Sequence, residues 1–269
     1  MKKRITKVLI CVMAAVAVIG ACIGFVGCKE TKTLTVGYTM YPPMNYEDSD
    51  GKLIGFDTEL ATKVFEELGY KVIFKEIEWN KKYTELNAGS VDCLWNGFTS
   101  NGSDNGTPRA ELVDFSYNYM KNYQAVVVKA SEIDKYTDKN TSFAGKKGYV
   151  EKNSAGQEYA AAFVGAIVGE ATTQMNAVMQ VKSKAADFAV VDYLLANSIV
   201  GKGDYSDLAF VENLNSDIEY YAIGFKKGSE LTGKVNALLE KYAKDGSLAE
   251  LAAKYKLSNA IILDYSSQK

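Results

Sequence analysis

Val91-Asp-Cys-Leu-Trp-Asn-Gly-Phe-Thr99, followed by the polar run 100–107 and then Pro108-Arg109, decides how the rest of the chain is read. Residues 91–95 follow a Gly89-Ser90 turn and are apolar on both faces, which predicts a short strand buried on both sides. The strand ends in Asn96, Gly97 and Thr99, which offer backbone carbonyls, an amide and a hydroxyl. Ligands of open α/β sheets sit at the carboxyl ends of strands. Arg109 returns after a segment too polar and glycine-rich to be a helix. Its planar guanidinium suits a carboxylate held by two parallel hydrogen bonds. Taken alone, the same residues also fit a turn capped by Asn96 and Thr99 with a surface arginine beyond it.

The rest of the chain repeats the pattern. Residues 33–38 alternate as a strand. Asp57 is placed to cap a helix whose Leu60, Val64, Phe65 and Leu68 share one face, with Gly69 at the C′ position. Residues 71–77 predict a strand and 79–88 a helix. Strand–helix–strand–helix–strand is a run of parallel crossover units. After a strand at 124–129 the series starts again. A strand at 148–152 leads to Ser154, which can cap a helix running to Phe163 and leave an anion-binding N-terminus. A helix over 173–182 turns Met175, Val178 and Met179 inward, and a strand at 188–191 ends in Asp192. A strand at 220–225 precedes two helices. The first spans 230–244; the second opens with Ser247-Leu-Ala-Glu250, which reads as a capping box. Residues 86–96 and 181–192 echo one another, each running from a helix end through a turn into a strand with a polar tip.

Composition narrows the chemistry. The 269 residues suffice for two modest lobes. There is no histidine, which excludes Ser-His-Asp and Cys-His catalysis and His-ligated zinc. The net charge is −2, and four of the basic residues (Lys2, Lys3, Arg4, Lys7) lie in the first seven positions. The remainder is acidic, which argues against nucleic acid as a partner. Residues 8–27 are almost wholly apolar, long enough for a membrane span or a secretion signal. Phe25-Val-Gly27-Cys28 resembles the lipobox of bacterial lipoproteins, as does Ile19-Gly-Ala21-Cys22. Cleavage before Cys28 removes every apolar residue, so the expectation is a signal peptide over 1–27 and a tether over 28–32. The protein would then be exported and held at the outer face of the cell membrane by lipid on Cys28. Cys93 remains as a small core residue, with no disulfide framework and no thiolate metal site.

Three further segments carry a resemblance: Gly55-Phe-Asp-x-Glu-Leu-Ala61; the 91–99 strand with Arg109 and Val113-Asp-Phe-Ser116; and Tyr221-Ala-Ile-Gly-Phe-Lys-Lys-Gly228. In this order, behind such a leader, residues 33–257 resemble periplasmic-type binding proteins of the polar amino-acid class, the receptors of ATP-driven (ABC) importers. The resemblance implies an α/β fold of the periplasmic-binding-protein type: two α/β lobes joined by two crossover strands, with a ligand cleft between them. Lobe 1 would comprise 33–123 and, on the return, 222–269, with lobe 2 at 124–221. It implies a monomer without cofactor or metal, binding a free amino acid and meeting the importer's membrane permease.

It also implies roles. Arg109 would clamp the ligand α-carboxylate, and Ser154 and Ala155 would complete that site with N–H groups. Gly97 and Thr99 would meet the α-ammonium with a carbonyl and a hydroxyl, and Asp192 would pair with it. A zwitterion needs such a set: one fixed cation, one fixed anion and hydrogen bonds for the rest. Tyr38, Tyr41 and Trp95, with Asn96, are the candidates to line the pocket; Trp95 fits the core equally well. Lys82 or Glu151 could add a charge to that pocket, though residues of these types are more often solvated. The chain departs from the family pattern in its long 101–107 loop, in Ala155 where a hydroxyl residue is usual, and in lacking an acid after Gly37. Two alternatives share this scaffold: an enzyme resembling cyclohexadienyl dehydratase, with Glu151 as acid or base, and a ligand sensor for a signalling partner.

Overall fold

The computed structural model describes residues 32–269; Cys22, Cys28 and the expected leader and lipidation site lie outside the described residues. The strands in chain order are β1 (Thr33–Tyr38), β2 (Tyr46–Glu47), β3 (Leu53–Ile54), β4 (Lys71–Glu76), β5 (Cys93–Leu94), β6 (Ser103–Asp104), β7 (Thr107–Pro108) and β8 (Asp114–Phe115). They continue as β9 (Met120–Asn122), β10 (Gln124–Lys129), β11 (Lys147–Glu151), β12 (Ile167–Ala171), β13 (Phe188–Asp192), β14 (Leu208–Phe210), β15 (Glu219–Tyr221) and β16 (Gly224–Phe225). The helices are α1 (Phe56–Glu67), α2 (Lys82–Asn87), α3 (Arg109–Leu112), α4 (Ala155–Ala160), α5 (Gln174–Lys182), α6 (Tyr193–Ile199), α7 (Leu231–Lys244) and α8 (Ser247–Lys254).

The first lobe's sheet has the order β4-β1-β5-β16-β8. β1 pairs in parallel with β4 and β5, as crossover units require, while β16 and β8 add antiparallel strands. The second sheet has the order β12-β11-β13-β10-β14, parallel on its β11 side and antiparallel around β10. Between them runs the antiparallel ribbon β9–β15. The chain leaves the first sheet through β9 and comes back through β15. The expected strand at 220–225 is therefore two strands, since one half belongs to the ribbon and the other to the sheet. The bend between them is held by Ala222 N–H on the Phe98 carbonyl (3.0 Å) and Ile223 N–H on Ser116 Oγ (2.9 Å).

Regular pairing in β5 is shorter than the 91–95 run, but Asp92 N–H to Thr35 O (2.8 Å) and Trp95 N–H to Gly37 O (3.1 Å) extend its contacts with β1. Cys93 is fully buried. α1 packs Leu60, Val64 and Phe65 on the sheet, and Gly69 at φ 85° follows its last turn. The cap differs from expectation. Gly55, at φ 128°, is the N-cap residue, and a Cβ there would lie 2.2 Å from the Met44 carbonyl oxygen. Asp57 sits inside the helix, where its buried carboxylate accepts from Gly97 N–H (2.9 Å) and the Tyr119 hydroxyl (2.8 Å).

Other details also depart from expectation. α4 ends at Ala160, because Phe163 leaves the helix to stack on Phe143, with ring centroids 4.2 Å apart. Met179 is 44% exposed and faces solvent. Ser247 does not cap α8: Gly246 precedes the helix in the left-handed region, and Asp245 Oδ1 accepts the Ser247 N–H (2.9 Å). α7 and α8 return to the first lobe, where Lys241 meets Glu67 and Lys254 meets Glu59, both at 2.6 Å.

Gly55→Ala should lower stability by about 2–4 kcal/mol, through a strained φ and a backbone clash, and lower Tm by roughly 5–15 °C. Thermal unfolding followed by circular dichroism checks this; an unchanged Tm would mean that the Gly55–Met44 approach does not constrain the fold.

Candidate functional site

The tip of β5 carries the decisive loop. Gly97 takes φ 58°, and a Cβ there would meet the Tyr41 ring at 2.6 Å. The Tyr41 hydroxyl lies 2.7 Å from that of Tyr221. Asn96 is a brace: its Nδ2 donates to Thr39 O (2.8 Å) and Asn45 Oδ1 (2.7 Å), and its Oδ1 accepts from the Thr39 hydroxyl (2.7 Å). Trp95 is wholly buried against Phe65 and Tyr119, which settles it in the core. Tyr38 packs edge-on to Phe74. The two rings pack on apolar neighbours, and the Asn96 amide is hydrogen-bonded within the first lobe.

That cluster begins with Arg109, which is 1% exposed. Its Nη1 donates to Thr99 O (3.2 Å), the Phe98 ring lies 5.5 Å below the guanidinium, and its Nε has no partner among the described residues. Its Nη2 meets Asp104 Oδ1 at 3.1 Å. Asp104 is brought there by an element absent from the expectation. The 101–107 segment folds as the hairpin β6–β7, turning at Asn105 (φ 52°) and Gly106 (φ 82°). Asn-Gly favours such turns because both residues tolerate positive φ.

Asp104 also pairs with Lys82 Nζ (3.1 Å) and accepts from the Tyr83 hydroxyl. Lys82 is buried, not solvated: Trp79 and Tyr83 flank its ammonium, which reaches across the lobes to the Asn153 carbonyl (3.0 Å). Burial pulls its pKa down to about 8, against the opposing pull of Asp104. The hairpin touches the second lobe as well, with Ser103 N–H donating to Glu158 (3.1 Å).

The second lobe presents the ends of β11 and β13. Ser154 caps α4 through Gln157 N–H (3.2 Å), as expected, but its own N–H is committed to the Glu151 carbonyl (3.2 Å). Ala155 is the first residue of that helix. Asp192 is buried and accepts from Asn122 (2.8 Å), Gln124 and Gln174 side chains. Glu219, on the ribbon, accepts from Gln124 (2.9 Å) and from the Thr99 hydroxyl of the first lobe (3.2 Å). Glu151 is also buried, contrary to expectation, and its Oε1 has no partner among the described residues. Neither burial is legible in the sequence, because Lys82 is enclosed by Trp79, Tyr83 and Asp104 with Asn153 of the other lobe, and Glu151 faces Lys82 and Arg109 across the lobes.

Burial, with the charge of Asp192 adding to it, pushes Glu151 up to about 8 and Glu219 to about 7. Asp192 is raised by burial against its three amide donors. Asp57, behind the loop, is raised by burial to about 7. A cavity of about 430 Å³ opens beside the cluster, lined by Thr99, Gly102, Ala155, Glu158 and Glu219 among others. A larger one of about 640 Å³ lies between α1 and α8, away from these charges.

Sequence reading missed Asp104, Glu219 and the amides Gln124 and Gln174. The Asn105-Gly106 pair was a readable hairpin signal, and Gln124 opening an otherwise apolar strand was a readable anomaly.

Two α/β sheets, a two-strand passage between them and a charged cleft at their facing strand ends define a two-lobed solute-binding protein. Residues 34–258 match the family described as bacterial extracellular solute-binding proteins, family 3, and the chain belongs to that family. It is 29% identical over 233 residues to the L-cystine-binding protein TcyA of Bacillus subtilis, covering 84% of this chain and 82% of that protein. An ancestral arginine-binding protein bound to arginine is similar in structure, with TM-score 0.73 and 30% identity, over 83% of this chain and 97% of that one. So is an ABC uptake transporter substrate-binding protein of Streptococcus pneumoniae with bound histidine, with TM-score 0.74 and 29% identity, over 83% and 92%.

The raised carboxylates fix a sign. Their folded pKa values exceed the ordinary range near 4, so the folded state binds protons more tightly than the unfolded one, and the stability this adds is lost as pH rises from about 4.5 to about 8. Lys82, lowered to about 8, acts only above that range. The ligand-free protein should therefore melt at progressively lower temperature between pH 5 and pH 8, and Glu151→Gln should flatten the slope. A Tm that climbs over this range would contradict the burial assigned to these groups.

Proposed function

We propose that this protein is an extracellular receptor that closes its lobes on a free amino acid and delivers it to the membrane permease of an ABC importer. Lipid on Cys28 would hold it at the outer face of the membrane, and it would work as a monomer. The observation that carries this reading is the pair Arg109 and Asp192: two buried groups of opposite charge, one at the start of α3 in the first lobe and one at the end of β13 in the second. A zwitterion bridges such a pair and a neutral solute does not. L-Cystine, arginine and histidine, named for the relatives above, have in common the α-amino and α-carboxylate groups.

In this account Arg109 takes the α-carboxylate. Lys82 and Arg109 share one directly paired carboxylate, Asp104, and the Arg109 Nε is unused among the described residues, so the guanidinium keeps a donor for a ligand carboxylate. Ala155 N–H would complete that side. Asp192 takes the α-ammonium, helped by Thr99 and the Gly97 carbonyl, with Tyr41 behind Gly97. Asn96, Trp95 and Ser154 would act by holding these groups in position.

Arg109→Ala should abolish amino-acid binding in titration calorimetry while far-UV circular dichroism stays native. Asp192→Asn should weaken binding by about 2–5 kcal/mol, the usual cost of removing one partner of a buried charged pair. Unchanged affinity in either variant would remove that residue from the site.

A further inference from the structure

The cleft holds more negative charge than a zwitterion can satisfy. Asp192 and Glu219 act as one anionic centre, because Gln124 Nε2 donates to both. On the other side Asp104 is saturated by Lys82, Arg109 and Tyr83. Glu151 is left over. It sits at the end of β11, 3% exposed, with Oε1 unpartnered among the described residues. The groups that face it are Asp192 from β13, Gln174 from α5, and Lys82 and Arg109 from α2 and α3 of the first lobe. Of these, Lys82 is engaged by Asp104 and the Asn153 carbonyl. Within the cluster two cations thus meet four carboxylates, those of Asp104, Glu151, Asp192 and Glu219. An ordinary zwitterion adds one charge of each sign and leaves the excess where it was. A buried carboxylate without a counter-charge is costly; in the empty cleft a proton on Glu151 meets that cost, and a second positive charge on the ligand can take the proton's place.

Building on the amino-acid reading above, we infer that the ligand is an amino acid with a cationic side chain, and that Glu151 is the group that receives this second charge. The same arrangement couples binding to protons. Glu151 is pushed up to about 8, so at pH 7 the empty site holds a proton there, and a bound cation displaces it to solvent.

The test is titration calorimetry of the full chain in detergent against arginine, lysine, ornithine, citrulline and glutamine, in phosphate and in Tris at pH 7. Citrulline keeps the shape of arginine and lacks its charge. Arginine, lysine or ornithine should bind at least about tenfold more tightly than citrulline, with an enthalpy that shifts between the two buffers by the heat of one released proton. In Glu151→Gln the preference and the proton release should both disappear while citrulline still binds. That variant should melt no earlier than the parent at pH 8, since it removes an unpaired buried charge. Glutamine or citrulline binding as tightly as arginine would overturn the inference and leave the amino-acid reading standing. A cationic preference that survives Glu151→Gln would overturn the assignment of Glu151. Folded protein that binds no amino acid would overturn the amino-acid reading, and the inference with it.

Discussion

Lys82 and Arg109 share the carboxylate of Asp104 inside the junction of the two lobes, and much of the molecule serves to make that arrangement tolerable. Charges taken out of water are favourable only when each is paired and its remaining donors are engaged. Here the Thr99 carbonyl, the Asn153 carbonyl and the Tyr83 hydroxyl meet most of those demands, and the Arg109 Nε is left without a partner among the described residues. The hairpin β6–β7 delivers Asp104. In it the chain carries its own counter-anion for the two cations, so the site is partly neutralised before any ligand enters.

The acidic side is built on a different principle. Asp192 and Glu219 stay close together because primary amides from Asn122, Gln124 and Gln174 donate to them. Amides carry no charge, so they orient the carboxylates without cancelling them. The negative potential is therefore kept for a solute, and the proton affinities of Glu151 and Glu219 are raised first by burial and then by the charge of Asp192. The β9–β15 ribbon matters to this balance, since Glu219 and Asn122 both lie on it. A group at the passage between the lobes thereby touches Thr99 of the first lobe and the Gln124–Asp192 network of the second.

What the sequence made legible was mostly local. The apolar run ending in Asn96-Gly97, the cap at Ser154 and the acid closing the 188–192 strand each follow from periodicity and turn chemistry within a dozen residues. Arg109 was legible as a cation after a strand end, though its internal partner was not, because Asp104 reaches it only when the 101–107 segment folds back as a hairpin. Asp57 looked like a helix cap by position; its burial under Gly97 and Tyr119 depends on contacts 40 and 62 residues away. The burial of Lys82 and Glu151 is likewise not local: Lys82 reaches Asn153 of the second lobe, and Glu151 faces Lys82 and Arg109 of the first. Long-range packing also buries Trp95, against Phe65 and Tyr119.

The central claim is that the cleft recognises the paired charges of a free α-amino acid. The most direct measurement is the melting temperature of the full chain, unfolded and refolded to strip any carried ligand, against free amino acids, dicarboxylates and sugars. Binding to the native state raises Tm by mass action. A rise with one or a few amino acids, and none with sugars or with dicarboxylates lacking an α-ammonium, is the result this account predicts. A rise with a sugar or a simple dicarboxylate, and none with any amino acid, would contradict it.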